Sequence, residues 1–313
     1  MEGPLKLGIL LWSQAVSWPE IRDAARRIER LGYDYLWTWD HVYAIFGDPY
    51  QAILEGWTTL AGLAASTERI RMGLMVGANT FRNPALVAKM AATVDHISDG
   101  RAILGLGAAW FEIEHEADGY DFGTGFGQRC DWLDESAGLI RRLLDGETVT
   151  YASAKYRLDA ARHQPRPVQA HLPIVIGGSG EKKTLRTVAT YADIWNGIGT
   201  PEALARKSAI LDEHCAAVGR DPAAIERSLD CFIVIRDNEA DARTAWLSFL
   251  AHNKTDPARP ATPLLGSPRA IAETLRAYRA VGFRTVNAEV PAPYDVETLE
   301  RLIGEVKPLV EAP

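Results

Sequence analysis

The sequence predicts an α/β fold of the (β/α)8 class, a TIM barrel, and three observations carry that prediction. Apolar runs of strand length alternate with helical apolar rhythms eight times along the 313 residues, a strict β-then-α order that demands a parallel sheet. No shift in composition marks a boundary, so residues 1–313 read as one domain. The turn after the first strand is Ser13-Gln14-Ala15-Val16, without the glycine fingerprint that a doubly wound, Rossmann-type sheet places there.

Taken in order, residues 5–12 (LKLGILLW) form the first strand. Ser17 caps a helix whose stripe is Ile21, Ala24, Ala25, Ile28 and Leu31, and Gly32 ends it. The second strand covers 33–39 and closes on Asp40 and His41. A loop to Glu55 leads into a helix through Leu60, Leu63 and Ala64. The third strand is 70–77; Pro84 then opens a helix to Ile97, and Ser98-Asp99-Gly100 turns the chain into a fourth strand over 102–107.

The regular beat breaks after the fourth strand. Residues 110–129 show no clean period and carry Gly119, Gly123, Gly125 and Gly127, which suits an irregular functional excursion. A helix resumes over 131–144, and 147–158 alternate as a small hairpin. The fifth strand, 172–176, is followed by Gly177-Gly178-Ser179-Gly180 and a helix marked by Leu185, Val188, Ala189 and Ala192. The sixth strand spans 193–197 and the seventh 228–235. Residues 253–266 read as a flexible connector. The eighth strand is 284–290, and Asp295 caps the last helix.

Composition narrows the function classes. A net charge of −7 excludes broad contact with nucleic acid or an anionic membrane, both of which need a basic surface. Cys130, Cys215 and Cys231 form neither a CxxC pair nor an even framework, so they read as inert thiols of a reducing compartment. The N-terminal residues show no secretory pattern and no run reaches about 18 apolar residues, so a cytoplasmic location is expected.

The chemistry of such a barrel gathers at the carboxyl ends of its strands. Those ends carry Asp40 and His41, residues 79–83, residues 110–116, the glycine turn, Trp195-Asn196, Arg236 and Glu289. Gly177 to Gly180, between a strand and a helix N-terminus, suit a phosphate or another anion approaching the backbone closely; taken alone, they equally suit a tight turn of positive φ. Lys182 and Lys183 would fall in the first turn of that helix, a placement that makes sense beside an anion. His41 beside a carboxylate is a candidate general acid or base, or else a structural histidine bonded to a carbonyl. Glu112, Glu114, His115 and Glu116 lack the HxH or HExxH spacing that brings two imidazoles to one metal, and no metal site is expected. No GxSxG occurs, so covalent hydrolysis has little support.

WTWDHV at 37–42, NTFRNPALVAKMAATVDHISDGRAILGLGAAWFEIEH at 79–115 and LPIVIGGSGEKKTLRTVATYADIWN at 172–196 together resemble the bacterial luciferase-like family. The similarity is strongest to the branch that uses the deazaflavin coenzyme F420. It implies a barrel with insertions after the fourth strand and late in the chain. It also implies an oxidoreductase that passes hydride between F420 and a small, partly apolar organic substrate. Two alternatives are an FMN-dependent monooxygenase served by a flavin reductase and a barrel that binds cofactor or metabolite without turnover.

The resemblance implies that Asp40 and His41 lie beside the ring, with His41 as catalytic proton donor or acceptor. Met75, Val76 and Gly77 match a bulge behind the ring that often holds a cis peptide. Gly177, Gly178, Ser179 and Gly180 match the turn on the coenzyme phosphate, and Asn79 and Asn196 are assigned to the same channel. The resemblance also brings a departure. Trp110 stands where the sugar-phosphate branch of the family has a catalytic glutamate, leaving Glu112 or His115 as candidates to compensate. Trp110 and Phe111 suggest an apolar substrate pocket. Related proteins often dimerise, and the apolar or small residues around the helix at 84–97 fit a homodimer.

Overall fold

The computed structural model of the protein describes residues 3–256 and 262–312. Eight parallel strands close into a barrel: β1 (Lys6–Leu11), β2 (Tyr35–Thr38), β3 (Arg71–Leu74), β4 (Ala102–Leu106), β7 (Ile174–Gly177), β8 (Ile194–Gly197), β9 (Glu226–Ile235) and β11 (Thr285–Val290). Closure is made by β11 on β1, in register from Lys6 opposite Thr285 to Leu11 opposite Val290. Helices α1 (Trp18–Leu31), α2 (Gly56–Ser66), α3 (Pro84–Ile97), α5 (Phe126–Leu144), α6 (Thr184–Tyr191), α7 (Pro201–Val218) and α9 (Pro268–Ala280) cover the outside, with α8 (Glu239–His252) behind β9. The last strand is followed by α10 (Val296–Arg301), which passes through a π turn into α11 (Lys307–Glu311).

The expected caps explain where helices start. Glu20 of α1 accepts the Ser17 N–H at 2.8 Å, and Gly32 ends that helix with φ 86°. Glu55 takes the first N–H groups of α2 from Trp57 and Thr58. Asn83, Thr200 and Ser267 each precede a proline and accept a backbone N–H of the first turn.

Among the described residues there are three apolar clusters: the smallest packs α8 on β9, and the two larger build the barrel. One lies between strands and helices, with Leu7, Ile9, Ile28, Leu104, Ile174, Leu229 and Val286 fully or almost fully buried. The other fills the barrel itself and is rich in aromatics: Trp12, Tyr35, Trp37 and Trp39 with Leu10, Ile103, Val175 and Ile194. The barrel interior also holds a polar layer, in which Trp37 Nε1 donates to Asn287 Oδ1 at 2.9 Å. Gly8 makes that layer possible, because a Cβ there would stand 2.3 Å from Asn287 Oδ1.

The structure differs from the expected elements at several places. Within 110–129 lies a helix, α4 (Glu112–Asp118), too short to show a period, and α5 begins at Phe126, its first turn masked by Gly127. The third strand stops at Leu74, where the chain bulges through a cis Met75–Val76 peptide before Gly77 and Ala78 rejoin β4. The second strand stops at Thr38. The helix after the fifth barrel strand starts only at Thr184, so Lys182 and Lys183 precede it. Lys183 is committed elsewhere, donating to Asp131 at 2.7 Å and to the Gly127 carbonyl.

The expected hairpin is present as β5 (Val149–Ala152) with β6 (Arg157–Ala161). In the connector at 253–266, residues 257–261 lie outside the described residues, and Leu264–Gly266 form β10, added to β9 outside the barrel. All three cysteines are free thiols, their pKa raised by burial. Among the described residues no helix is long and apolar enough to cross a membrane.

Candidate active site

A cavity of about 500 Å³ opens at the carboxyl ends of the barrel strands. One wall is the bulge Met75-Val76-Gly77-Ala78, another the turn Gly177-Gly178-Ser179 with Thr184, a third Asp40 and His41, and the base Asn196, Asp230 and Glu289.

The bulge owes its place to glycines on β4 and the segment after it. A Cβ on Gly105 would stand 1.8 Å from the Leu74 carbonyl oxygen, and one on Gly107 would meet Val76 Cγ2 at 2.5 Å. Gly77 N–H donates to the Gly105 carbonyl and Gly107 N–H to the Gly77 carbonyl, which clamps the bulge. Behind it, Asp40 is buried. Its Oδ2 accepts from the Ala78 N–H at 2.9 Å and from Arg82 at 2.7 Å, while its Oδ1 has no partner. Burial pushes the Asp40 carboxyl above the usual range, against the pull of Arg82. Arg82 reaches on to Glu55, so the cap of α2 also anchors this wall.

His41 follows Asp40 on the third wall. Its Nδ1 lies 2.9 Å from Oε1 of Glu114, a carboxylate only 1% exposed whose other oxygen accepts the Val42 N–H at 3.1 Å. The carboxylate can only accept, so Nδ1 carries a proton toward Glu114, and Nε2 is left as the nitrogen for exchange. The rings of Trp110 and Phe111 flank the imidazole edge-on at 5.8 and 6.0 Å.

The glycine turn follows β7. Gly178 has φ 119°, its N–H donates to the Asn196 carbonyl, and its own carbonyl takes the Trp195 indole N–H at 2.8 Å. These bonds tie the turn to β8. The first turn of α6 carries no side-chain cap at Lys183, and Thr184 faces the cavity. Leu185 N–H is returned to the Gly180 carbonyl, and with no side chain capping the rest of the first turn, this helix start reached across glycines suits an anion.

At the base, Asp230 on β9 and Glu289 on β11 sit on neighbouring strands, two positions apart in the register. Asp230 Oδ2 accepts from Asn196 Nδ2 at 2.8 Å, and Glu289 Oε2 from Trp12 Nε1 at 3.2 Å. Burial pushes both carboxyls up, Asp230 to about 7 and Glu289 to about 8, with Asp230 adding to the rise at Glu289.

The sequence-derived residues divide clearly. Asp40, His41, Met75, Val76, Gly77, Trp110, Gly177, Gly178, Ser179 and Asn196 all line the cavity. Asn79 and Gly180 are not among its lining residues; Asn79 is buried and donates to the Tyr156 hydroxyl of the hairpin. Phe111 is buried behind His41, and Glu112 is exposed on the outer face of α4.

His115 is buried as well. Its Nδ1 donates to the Phe111 carbonyl, its Nε2 accepts from Thr80 at 2.6 Å, and burial lowers its pKa, so it is a neutral structural histidine. Neither Glu112 nor His115 fills the gap left at Trp110; the acid that reaches His41 is Glu114. The spacing Phe111, Glu114, His115 marks the inner face of α4, a signal legible once that segment is read as helix. Asp230 was hidden inside an apolar run, and Arg236 faces Asp295 rather than the cavity.

Comparison with known proteins agrees with this architecture. Pyrimidine monooxygenase RutA of Methylobacterium radiotolerans is 36% identical over 204 residues, 63% of this chain and 52% of that protein. The chain thus matches little more than half the length of that relative, and 60% of an uncharacterized Mycobacterium tuberculosis protein at 32% identity over 176 residues, 56% of this chain. The fold superimposes on an F420-dependent secondary alcohol dehydrogenase in complex with an F420-acetone adduct, with a TM-score of 0.84, 18% identity and coverage of 99% and 100% of the two chains. It also superimposes on riboflavin lyase with modified FMN, with a TM-score of 0.82, 15% identity and coverage of 98% and 91%. The sequence model of the luciferase-like monooxygenase family matches residues 6–285, and the chain belongs to that family.

Proposed function

We propose that the protein is an oxidoreductase that passes hydride between the deazaflavin coenzyme F420 and a small, partly apolar organic substrate. The observation that carries this reading is the His41–Glu114 pair, which lines the same cavity as the Met75–Val76–Gly77 bulge. When bound, the coenzyme supplies a planar ring able to take or give a hydride. The chain supplies the rest. The bulge offers an apolar surface for one ring face, and Gly177, Gly178 and Ser179 with the start of α6 suit the phosphate. Asp40 holds the bulge from its buried side through the Ala78 N–H and is itself fixed by Arg82. His41 Nε2 takes or gives the proton that accompanies the hydride, with Glu114 holding the imidazole in one tautomer.

The fit rests on this chain's own geometry: a helix start without a side-chain cap beside Gly178, and glycines at 105 and 107 that leave room for the bulge. The test is a fluorescence titration of the purified chain with oxidised F420 and, separately, with FMN. Tight F420 binding with weak FMN binding is expected; tight FMN binding with no F420 binding overturns the reading.

A second reading is favoured by the 36% identity to a pyrimidine monooxygenase. In it the same seat holds FMN, a separate flavin reductase supplies the reduced coenzyme, and oxygen is consumed. Oxygen uptake with reduced FMN distinguishes it. In either case we infer a homodimer, supported by the exposed Leu86 and Ile97 on α3.

A further inference from the structure

The lining of the cavity is acidic in a way the reading above does not use. Its charged and titratable side chains are Asp40, His41, Glu114, Asp230 and Glu289, and no lysine or arginine lines it among the described residues. Two of the four carboxyls are answered within the chain, Asp40 by Arg82 and Glu114 by His41. The other two have only neutral partners: Asn196 for Asp230 and the Trp12 indole for Glu289. Asp230 is 8% exposed, and its Oδ1 has no hydrogen-bond partner.

A buried carboxylate without a cation is costly, so such an acid either keeps its proton or takes a counter-charge from a ligand. Around them the wall is apolar and aromatic, with Leu10, Trp39, Ile45, Phe46 and Met75. We propose that the substrate is a small apolar molecule bearing a basic nitrogen, and that its protonated nitrogen sits between Asp230 and Glu289. This rests on the reading that the cavity holds both coenzyme and substrate, and it names the substrate class of that same site. At the base, a phosphate or carboxylate of the substrate would face these two acids with no cation of the chain to offset it and is disfavoured there, away from the glycine turn that suits the coenzyme phosphate.

Proton linkage supports the assignment. Burial leaves the pair holding a proton near neutral pH, with Asp40 and the His41–Glu114 pair the other titratable groups on the cavity. A cationic nitrogen would displace that proton, so binding should release about one proton to the buffer.

The test uses three probes of one shape, 2-phenylethylamine, 2-phenylethanol and phenylacetate, titrated calorimetrically into the chain with and without saturating coenzyme. The amine should bind about tenfold or more tighter than the alcohol, and phenylacetate should not bind. In two buffers of different ionisation enthalpy, the amine's heat should differ by the released proton. Glu289→Gln should cut the preference, and Asp230→Asn with Glu289→Gln should abolish it, with circular dichroism confirming the fold. Equal binding of the three probes, no amine binding, or a preference that survives the double variant overturns the proposal. A chain that takes neither coenzyme yet prefers the amine keeps this inference and loses the functional reading above.

Discussion

Glu114 Oε1 lies 2.9 Å from His41 Nδ1, joining the end of the second barrel strand to a helix that follows the fourth. The same carboxylate holds the Val42 N–H, so one buried acid sets both the backbone after β2 and the tautomer of its histidine. An amide cannot do both, because its NH2 group turns a donor toward Nδ1.

Glu114→Gln should therefore lower kcat by about 10²-fold or more while coenzyme Kd changes little. Glu112→Gln, two residues earlier on the exposed face, should leave both unchanged. Steady-state kinetics beside a fluorescence titration checks the pair, and equal losses in the two variants would refute the role given to Glu114.

Gly178→Ala places a side chain at φ 119° and 3.2 Å from Thr184 Cγ2. Backbone strain there is worth about 1–3 kcal/mol, and the new methyl crowds the anion seat. Coenzyme affinity should fall by more than about tenfold, read as Kd at constant pH, because the turn must deform to admit a phosphate. Gly304→Ala, with nothing near its added Cβ, is the control and should keep wild-type affinity.

Asp230 and Glu289 make stability depend on pH. Their ordinary values are 3.8 and 4.5, and in the folded barrel they rise to about 7 and about 8. The contribution is fully present below about pH 4, where folded and unfolded chains both hold the protons. As pH rises, the unfolded chain releases protons that the barrel keeps, so stability falls through about pH 4 to 8 by at most about 1.4 kcal/mol per retained proton per pH unit. Urea midpoints measured across that window should decline, and Glu289→Gln should flatten the decline. An unchanged slope in the variant would show that Glu289 does not titrate this way.

Gly8→Ala drives a methyl to 2.3 Å from Asn287 Oδ1 and 2.9 Å from Trp37 Nε1. The hydrogen bond between those two atoms must yield, so a loss of about 1–3 kcal/mol is expected by chemical denaturation.

Much of this architecture is legible along the chain. Proline after an Asn, Thr or Ser cap marks three helix starts, and apolar runs of strand length mark the eight barrel strands. Asp40, His41 and the glycine turn stand at strand ends, which is enough to place them on the functional face. Glu114 was less legible because a seven-residue helix has no room to declare a period. Asp230 carries no such signal, since alternation along β9 alone does not say which face is the barrel interior.

Local sequence thus determined the elements, their order and the face on which chemistry gathers, because capping, periodicity and glycine turns act within a few residues. Tertiary structure decided the pairings. His41 meets an acid 73 residues away, and the pairing of β9 with β11 brings two carboxyls to one pocket. Charge state and hydrogen-bond partnership depend on burial and on neighbours remote in the chain, and neither exists until the barrel has closed.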